Sequence, residues 1–288
     1  MSINIIIPAH NEATVIGRCL SNILDHGCND GINVWVVCNG CTDATAEVAR
    51  SVSGVQVIET EVASKTHALN WGDEAAGDDY PRFYVDADVV ISAESMAAMA
   101  QVLESGKAMA VAPTVQHDLV GASWAVRAFY DIDGRLPSRK EGIGGSGVYG
   151  MSEEGRKRFG EFPQITADDG FVRLHFAPGE RMTVPEAFSI VTPPKTLAGV
   201  IAIKTRSHFG NYEMAQKYPE LLKNRGGASN RPVILNLGFR PWLWARLAMY
   251  CYVKLVARFR ARERIRKAVY VWERDETSRQ KVGVQAHV

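Results

Sequence analysis
The chain has 288 residues, 46% hydrophobic and 23% charged, an ordinary globular composition that fits one large α/β domain or a domain with an extension. Its net charge of +1 hides an asymmetry: residues 1–100 carry 14 Asp and Glu against 4 Lys and Arg, whereas residues 201–288 carry 18 Lys and Arg against 6 Asp and Glu. The split predicts a basic C-terminal surface facing an anionic partner, and of the two candidates, lipid is favoured over nucleic acid because no nucleic-acid-binding module is recognisable. No signal peptide is expected, because no charged segment followed by an apolar one opens the chain. Nor does any run of about 18 apolar residues offer to span a bilayer. Five cysteines (Cys19, Cys28, Cys38, Cys41, Cys251), an odd number, suit reduced thiols in the cytoplasm, and the lone C-x-x-C at Cys38–Cys41 argues against zinc.

In chain order, Ile3–Ile7 is a continuous apolar run ending at Pro8, as in a buried parallel strand. Glu12 to about Asp25 has helical spacing and stops at Gly27. Val34–Val37 reads as a second strand, and Asn39-Gly40 turns into a helix capped by Thr42 or Asp43. Further strands are expected at Val55–Ile58, Phe83–Val85 and Ala108–Ala112, with helices at Thr66–Ala76 and Ala93–Leu103 between them. Strands alternating with helices indicate βαβ units and a mainly parallel sheet, in which ligands bind beyond the carboxyl ends of the strands. His10, Asn39 and Asp86 all fall there. No G-x-G-x-x-G or G-x-x-x-x-G-K-[ST] follows the first strand, which disfavours a dinucleotide fold and a P-loop.

Asp86 and Asp88, one residue apart after an apolar strand, read either as a polar turn or as a site for a metal and a diphosphate. Acids beside a core are costly without compensation, and carboxylates are hard ligands suited to Mg²⁺ or Mn²⁺ together with substrate phosphates.

Five segments, in order, resemble the family 2 glycosyltransferases. These are Ile5–Glu12, Val36–Asp43, Lys65-Thr66-His67-Ala68-Leu69-Asn70, Asp86-Ala87-Asp88, and Ala167-Asp168-Asp169-Gly170. The resemblance covers roughly residues 1–175. It implies a GT-A (Rossmann-like) α/β fold, with a mainly parallel sheet flanked by helices, and inverting transfer of a sugar from a nucleotide-diphosphate donor to a hydroxyl. It implies Asp169 as the base, with Asp168 the alternative, and Asp88 as the ligand of a divalent metal. Pro8, Ala9, His10, Glu12, Asn39, Lys65 and Asp86 would bind the donor nucleotide. His10 stands where relatives often place an aromatic ring against the base, and Asn39 where they often carry Asp. The Gly-rich segment Glu141–Gly150, with Gly144, Gly145 and Ser146, would line the cleft for the donor sugar and acceptor; a flexible surface loop is the alternative. Arg135, Arg139 and Lys140 precede it and suit either a phosphate, an anionic acceptor or plain solvation.

Thr196 to about Tyr218 reads as a helix. Lys204-Thr205-Arg206-Ser207-His208 falls where processive relatives carry Q-x-x-R-W and departs from that motif, which favours a single transfer; Arg206 or His208 is expected to contact the diphosphate after loop closure. From Pro241 to Phe259, at roughly 100° per residue, Arg246, Lys254, Arg258 and Arg262 fall in one arc of roughly 160°, with Trp242, Trp244, Tyr252, Leu255, Val256 and Phe259 largely outside it. That pattern suits a helix at a membrane interface, or one packed on the catalytic domain or on a second copy. The expected layout is a catalytic domain at 1–195 (nucleotide half 1–112, acceptor half 113–195), a basic helical extension at 196–277 and a disordered tail at 278–288. The reading is of a cytoplasmic enzyme peripheral at the inner face of the cell membrane, contacting it through about 240–267, with a saccharide or lipid-linked acceptor and a homodimer possible. The alternatives are a sugar nucleotidyltransferase, against which Pro8–Glu12 speaks because it is no phosphate loop, and an inactive binding protein of the same fold.

Overall fold
Ile3–Ala9 form β1, buried along its length in the computed structural model, which describes residues 2–24, 31–227 and 229–267. Ile5 and Ile7 pack with Ile16, Leu20 and Ile23 of α1 (Ile16–Leu24), while Ile6 joins Leu69 and Tyr84 on the opposite face of the sheet. Burial on both faces is why the run is continuously apolar. The first helix starts four residues later than its spacing indicates. Asn11 is left-handed at φ 54°, and the Glu12 carbonyl accepts the Val15 and Ile16 amides in a turn.

The chain continues through β2 (Ile32–Asn39), α2 (Thr45–Arg50), β3 (Val55–Thr60), α3 (Lys65–Ala76) and β4 (Arg82–Val85). Strands β3, β2, β1 and β4 lie side by side, all parallel. The cap of α2 is Ala44, with no side-chain cap bond, but Asp43 accepts the Thr45 amide at 3.0 Å. A short β5 (Val90–Ile91) and α4 (Ala93–Glu104) lead to β6 (Ala110–His117), which runs five residues beyond the strand expected there. Then come α5 (Trp124–Asp133), β7 (Val148–Met151), α6 (Glu153–Arg156), α7 (Asp168–Leu174) and β8 (Arg181–Val191). The sheet order is β3-β2-β1-β4-β7-β6-β8-β5, with β7 antiparallel to both neighbours and β5 antiparallel to β8. The fold is thus the expected α/β sandwich, a mostly parallel sheet with helices on both faces.

Three C-terminal helices, α8 (Leu197–Lys217), α9 (Arg231–Gly238) and α10 (Trp244–Lys267), share a separate apolar core with α5: Val126, Phe129 and Ile132 meet Val200, Ile201 and Val253. Helix α5 therefore belongs to the acceptor half by sequence but packs with the extension. Residues 268–277 and the tail at 278–288 lie outside the described residues.

Helix α10 is oriented differently from its charge arc. Tyr250, Val253, Ala257 and Ala261 face inward, while Trp244, Tyr252, Leu255 and Phe259 are exposed. Two of the four basic residues on the arc turn toward protein acids: Arg246 bonds Asp131 at 2.7 Å, and Lys254 feels Asp133. Small residues inward allow close packing on α5 and α8, which leaves the aromatic side for the surface. No described helix is long and apolar enough to cross a membrane.

Candidate active site
The loops after β1 and β2 are stitched together beyond the strand ends. Asn11 Oδ1 accepts the Thr42 amide at 2.7 Å, Thr45 Oγ1 accepts the Glu12 amide at 2.7 Å, and Asp43 Oδ2 accepts the Ala13 amide at 3.2 Å. Cys41 takes part in the same seam, its thiol donating to the Ala9 carbonyl at 3.3 Å. The half-buried His10 ring lies 2.6 Å from the Asn39 carbonyl through Nδ1, which makes Nδ1 the protonated nitrogen. Pro8, Ala9 and Glu12 are buried beneath this loop. The Asn39 amide, oriented so that both ends are satisfied, donates to the Ala9 carbonyl at 2.7 Å and accepts the Ser64 amide at 3.3 Å. Buried, it braces the loops through these two backbone bonds.

Asp86 leaves β4 with its amide donated to the Gly147 carbonyl at 2.7 Å. Gly147 is left-handed at φ 65°, and a Cβ there would stand 2.4 Å from Val89 and 3.3 Å from Asp86 Oδ2, so only glycine lets the two segments meet. Ser64 caps α3 and sets Lys65 in its first turn. Lys65 Nζ then bridges Asp86 Oδ1 at 2.7 Å and Asp168 Oδ1 at 3.0 Å, joining segments of the sequence about a hundred residues apart. Burial alone would push the Lys65 ammonium down; Asp168 and Asp86 outweigh it and hold its pKa well above the usual lysine value.

Asp168 and Asp169 open α7, where acids are favoured, and their side chains diverge. Asp168 is buried, also accepting the Tyr149 hydroxyl at 3.1 Å. Burial raises its pKa, Lys65 opposes, and Asp169 and Asp86 raise it further. Asp169 is half-buried, held by the Gly145 amide at 3.2 Å and the Gly170 amide at 2.7 Å, and so is more exposed than its buried neighbour Asp168. Gly144 and Gly145 carry positive φ, and Gly145 is exposed. Ser146 differs from its two glycine neighbours: it is buried, with its hydroxyl donated to the Val148 carbonyl at 2.6 Å, so its side chain shapes the turn and does not line the cleft.

Asp88 is half-buried two residues beyond Asp86, and both acids lie near Cys19, whose thiol is pushed up by burial and then by Asp88. Among the described residues no group of three or more His, Cys, Asp or Glu forms a metal cage. The donor set instead fits a cation of the Mg²⁺ type, which takes one or two carboxylates and completes its shell from phosphates.

Arg206 and His208, expected at the diphosphate, lie on α8. His208 faces α10: its buried Nε2 has no hydrogen-bond partner among the described residues, and burial, then Lys254, Arg258 and Lys204, lower its pKa to about 4. Its charged neighbours are thus the basic residues of α8 and α10. Two features went unseen in sequence: the Tyr149 hydroxyl on Asp168, and a buried Asp133 paired to Arg139 and 4.0 Å from Lys204. The dense glycines around Tyr149 were a usable sign of the first. Nothing local marks the second.

A family profile described as "Glycosyl transferase family 2" matches residues 4–158. No curated protein matches the sequence. Among solved structures, the mannosyltransferase PcManGT from Pyrobaculum calidifontis, in complex with GDP-Man and Mn²⁺, superposes with a TM-score of 0.59 at 22% identity, covering 93% of this chain and 76% of that one. TarS of S. aureus gives 0.50 at 14% identity, covering 71% and 40%. A mycobacterial protein gives 0.50 at 19% identity, covering 75% and 74%. These likenesses show a shared fold.

Proposed function
The chain belongs to glycosyl transferase family 2 and is a glycosyltransferase; on that premise we propose that it moves a sugar from a nucleotide-diphosphate donor to an acceptor hydroxyl, with inversion at the anomeric carbon and with a divalent metal. The observation that carries the reading is the meeting of Lys65, Asp86, Asp168 and Asp169 beyond the strand ends, with Asp169 the accessible acid. Asp169 takes the acceptor proton as the new glycosidic bond forms and the bond to the diphosphate breaks. Asp168 and Tyr149 hold the start of α7 and orient Asp169. Lys65 stands between the two carboxylates, where it can turn to the donor's phosphates. Asp88 would hold Mg²⁺ or Mn²⁺ with the donor phosphates, supplying neutralisation of charge on the leaving diphosphate. The solved complex of PcManGT with GDP-Man and Mn²⁺ supports this assignment. His10 lies at the nucleotide end with its ring fixed by the Asn39 carbonyl. The catalytic unit comprises 1–195, with the helical extension closing its acceptor side.

The test is thermal stabilisation by a panel of nucleotide sugars with and without Mn²⁺, because a ligand that binds the folded state alone raises its melting temperature. One nucleotide sugar is expected to stabilise the protein in a metal-dependent way. A flat panel, with no transfer or donor hydrolysis, overturns the reading.

We also propose that the enzyme works at an anionic membrane surface. Phe239 is 86% exposed, Trp242 74% and Phe259 70%, and the exposed Arg258, Arg260, Arg262 and Arg266 accompany them. Aromatic side chains framed by arginines suit the interface of an anionic bilayer. Trp242→Ser with Phe259→Ser is expected to lower co-sedimentation with phosphatidylglycerol vesicles several-fold. Unchanged sedimentation, or a dimer in solution that buries the patch, overturns it.

A further inference from the structure
Outside the carboxylate site, the strongest imbalance in the molecule lies between α5, α8 and α10. Asp133 ends α5 at 3% exposure and pairs with Arg139. Lys204 approaches it from α8, with Nζ 4.0 Å from Asp133 Oδ2, 5.3 Å from the centre of the Phe129 ring and 5.6 Å from that of Tyr130. Lys204 Nζ makes no hydrogen bond to any described residue, although its side chain is only 13% exposed and an ammonium carries three donors. Lys254 adds a further charge from α10, half-buried, and Arg258 stands one turn beyond it. One buried carboxylate thus faces three cations, Arg139, Lys204 and Lys254. Burial and Arg139 lower the Lys204 pKa to about 7, and burial, Lys204 and Arg139 lower that of His117, whose ring lies tilted against Tyr130, to about 4. Like charges held so close are unfavourable unless something completes them.

The cluster adjoins the catalytic carboxylate along two routes. Arg139 Nη1 lies 3.1 Å from where a Gly145 Cβ would stand, and the Gly145 amide holds Asp169. Helix α8, which carries Lys204 and His208, touches Ala167 through Gly210, two residues before Asp169. An anion seated on Lys204 and Arg139 would therefore bring whatever is attached to it toward Asp169.

We propose that this cluster is a phosphate subsite for the acceptor, and that the enzyme glycosylates a phosphorylated molecule whose phosphoryl group sits on Arg139 and Lys204, with Lys254 in support. The acceptor assignment rests on the glycosyltransfer reading above. A phosphate would hydrogen-bond the unmet Lys204 ammonium and reverse the local charge surplus. The phosphate could belong to a soluble sugar phosphate or to a lipid headgroup.

The test is calorimetric titration of the full chain with inorganic phosphate and, separately, with UDP and GDP in the presence of Mn²⁺. Lys204→Met and Arg139→Gln are each expected to weaken phosphate binding at least tenfold while changing nucleoside-diphosphate binding less than twofold. Lys254→Gln, on the rim of the cluster, is expected to weaken phosphate binding several-fold and guards against a misfolded first variant. Unchanged phosphate affinity in all three variants overturns the proposal. Equal losses for phosphate and nucleoside diphosphate also overturn it, since the cluster would then serve the donor. Failure of wild type to bind either nucleoside diphosphate, with phosphate binding still lost in the variants, excludes a uridine or guanosine donor and leaves the phosphate site standing. Competition against phosphate by glucose 6-phosphate supports a soluble acceptor, competition by phosphatidic acid vesicles a lipid one, and competition by neither overturns the proposal.

Discussion
Two buried charges in this protein are near mirror images. Lys65 is one ammonium placed between Asp86 and Asp168, with Asp169 close by. Asp133 is one carboxylate placed among Arg139, Lys204 and Lys254. The first cluster has surplus negative charge and the second surplus positive charge, and the glycine loop at 144–147 lies between them. Yet the two differ in quality. Lys65 makes short bonds to both acids, so the folded protein compensates it; Lys204 makes none, and the folded protein tolerates it. The contrast is one of compensation: the Lys65 bridge is closed by short bonds to two carboxylates, whereas Lys204 approaches Asp133 only at 4.0 Å.

The sharpest way to break the comparison is at its acidic end. Asp169→Asn is expected to lower the transfer rate by about three orders of magnitude, within the range of roughly 10²–10⁴ for loss of a general base, with the fold intact. Asp168→Asn keeps a hydrogen bond to Tyr149 and is expected to cost far less in rate. If single-turnover rates fall equally in both variants, the division of labour between the two adjacent acids is wrong.

Lys65→Met probes the same bridge through stability. Breaking a buried pair by removing one partner costs roughly 3–5 kcal/mol, and because Lys65 is a third exposed, about 1–3 kcal/mol is expected here. The sign with pH is definite. Asp168 already has a raised pKa, and without Lys65 it rises further. The loss is then present where Asp168 must be charged and shrinks as the pH falls and Asp168 takes up a proton. Urea unfolding of the variant and wild type across the acid range checks this. A difference independent of pH would mean that Lys65 stabilises by packing, not by charge.

How legible each cluster was in sequence follows from how it is built. The acidic site sits at the ends of parallel strands, where the chain's own regularity announces position: the run at Ile3–Ala9 fixes β1, and Asp86 and Asp88 follow β4 directly. Lys65 and Asp168 were found by resemblance of their short segments, and their contact with each other was not foreseeable from spacing. For Asn39, the position relative to the strand is visible in sequence but the Ala9 and Ser64 groups that bond its amide are not. The basic cluster joins Asp133 at the end of α5, Arg139 in a loop, Lys204 on α8 and Lys254 on α10, so its charges come from four separate segments and no local pattern shows them together. For α10, periodicity located the basic arc correctly but not its orientation. The inward face was decided by Val253, Ala257 and Ala261, small enough to approach α5 and α8, and by Asp131 and Asp133 drawing Arg246 and Lys254 toward the protein.

The gentlest probe sharpens the basic half. Lys204→Met replaces an unbonded buried ammonium with an apolar chain of similar length, and exchanging buried charge for packed apolar groups is neutral or stabilising by about 1–4 kcal/mol. Wild-type Lys204 has a folded pKa near 7, below its ordinary value of 10.5, so the folded state binds fewer protons than the unfolded state between those two limits. Stability of wild type should therefore rise with pH across that window, as folding no longer confines a charge. The variant lacks this group. It is expected to be more stable than wild type at pH 6, with the gap narrowing from about pH 7 upward. Addition of inorganic phosphate at pH 6 should also narrow the gap, by stabilising wild type alone, because only wild type retains the ammonium that phosphate would bond. A gap that ignores both pH and phosphate would show that Lys204 is already satisfied by Asp133 and the two rings, and that the two clusters are not opposites in kind.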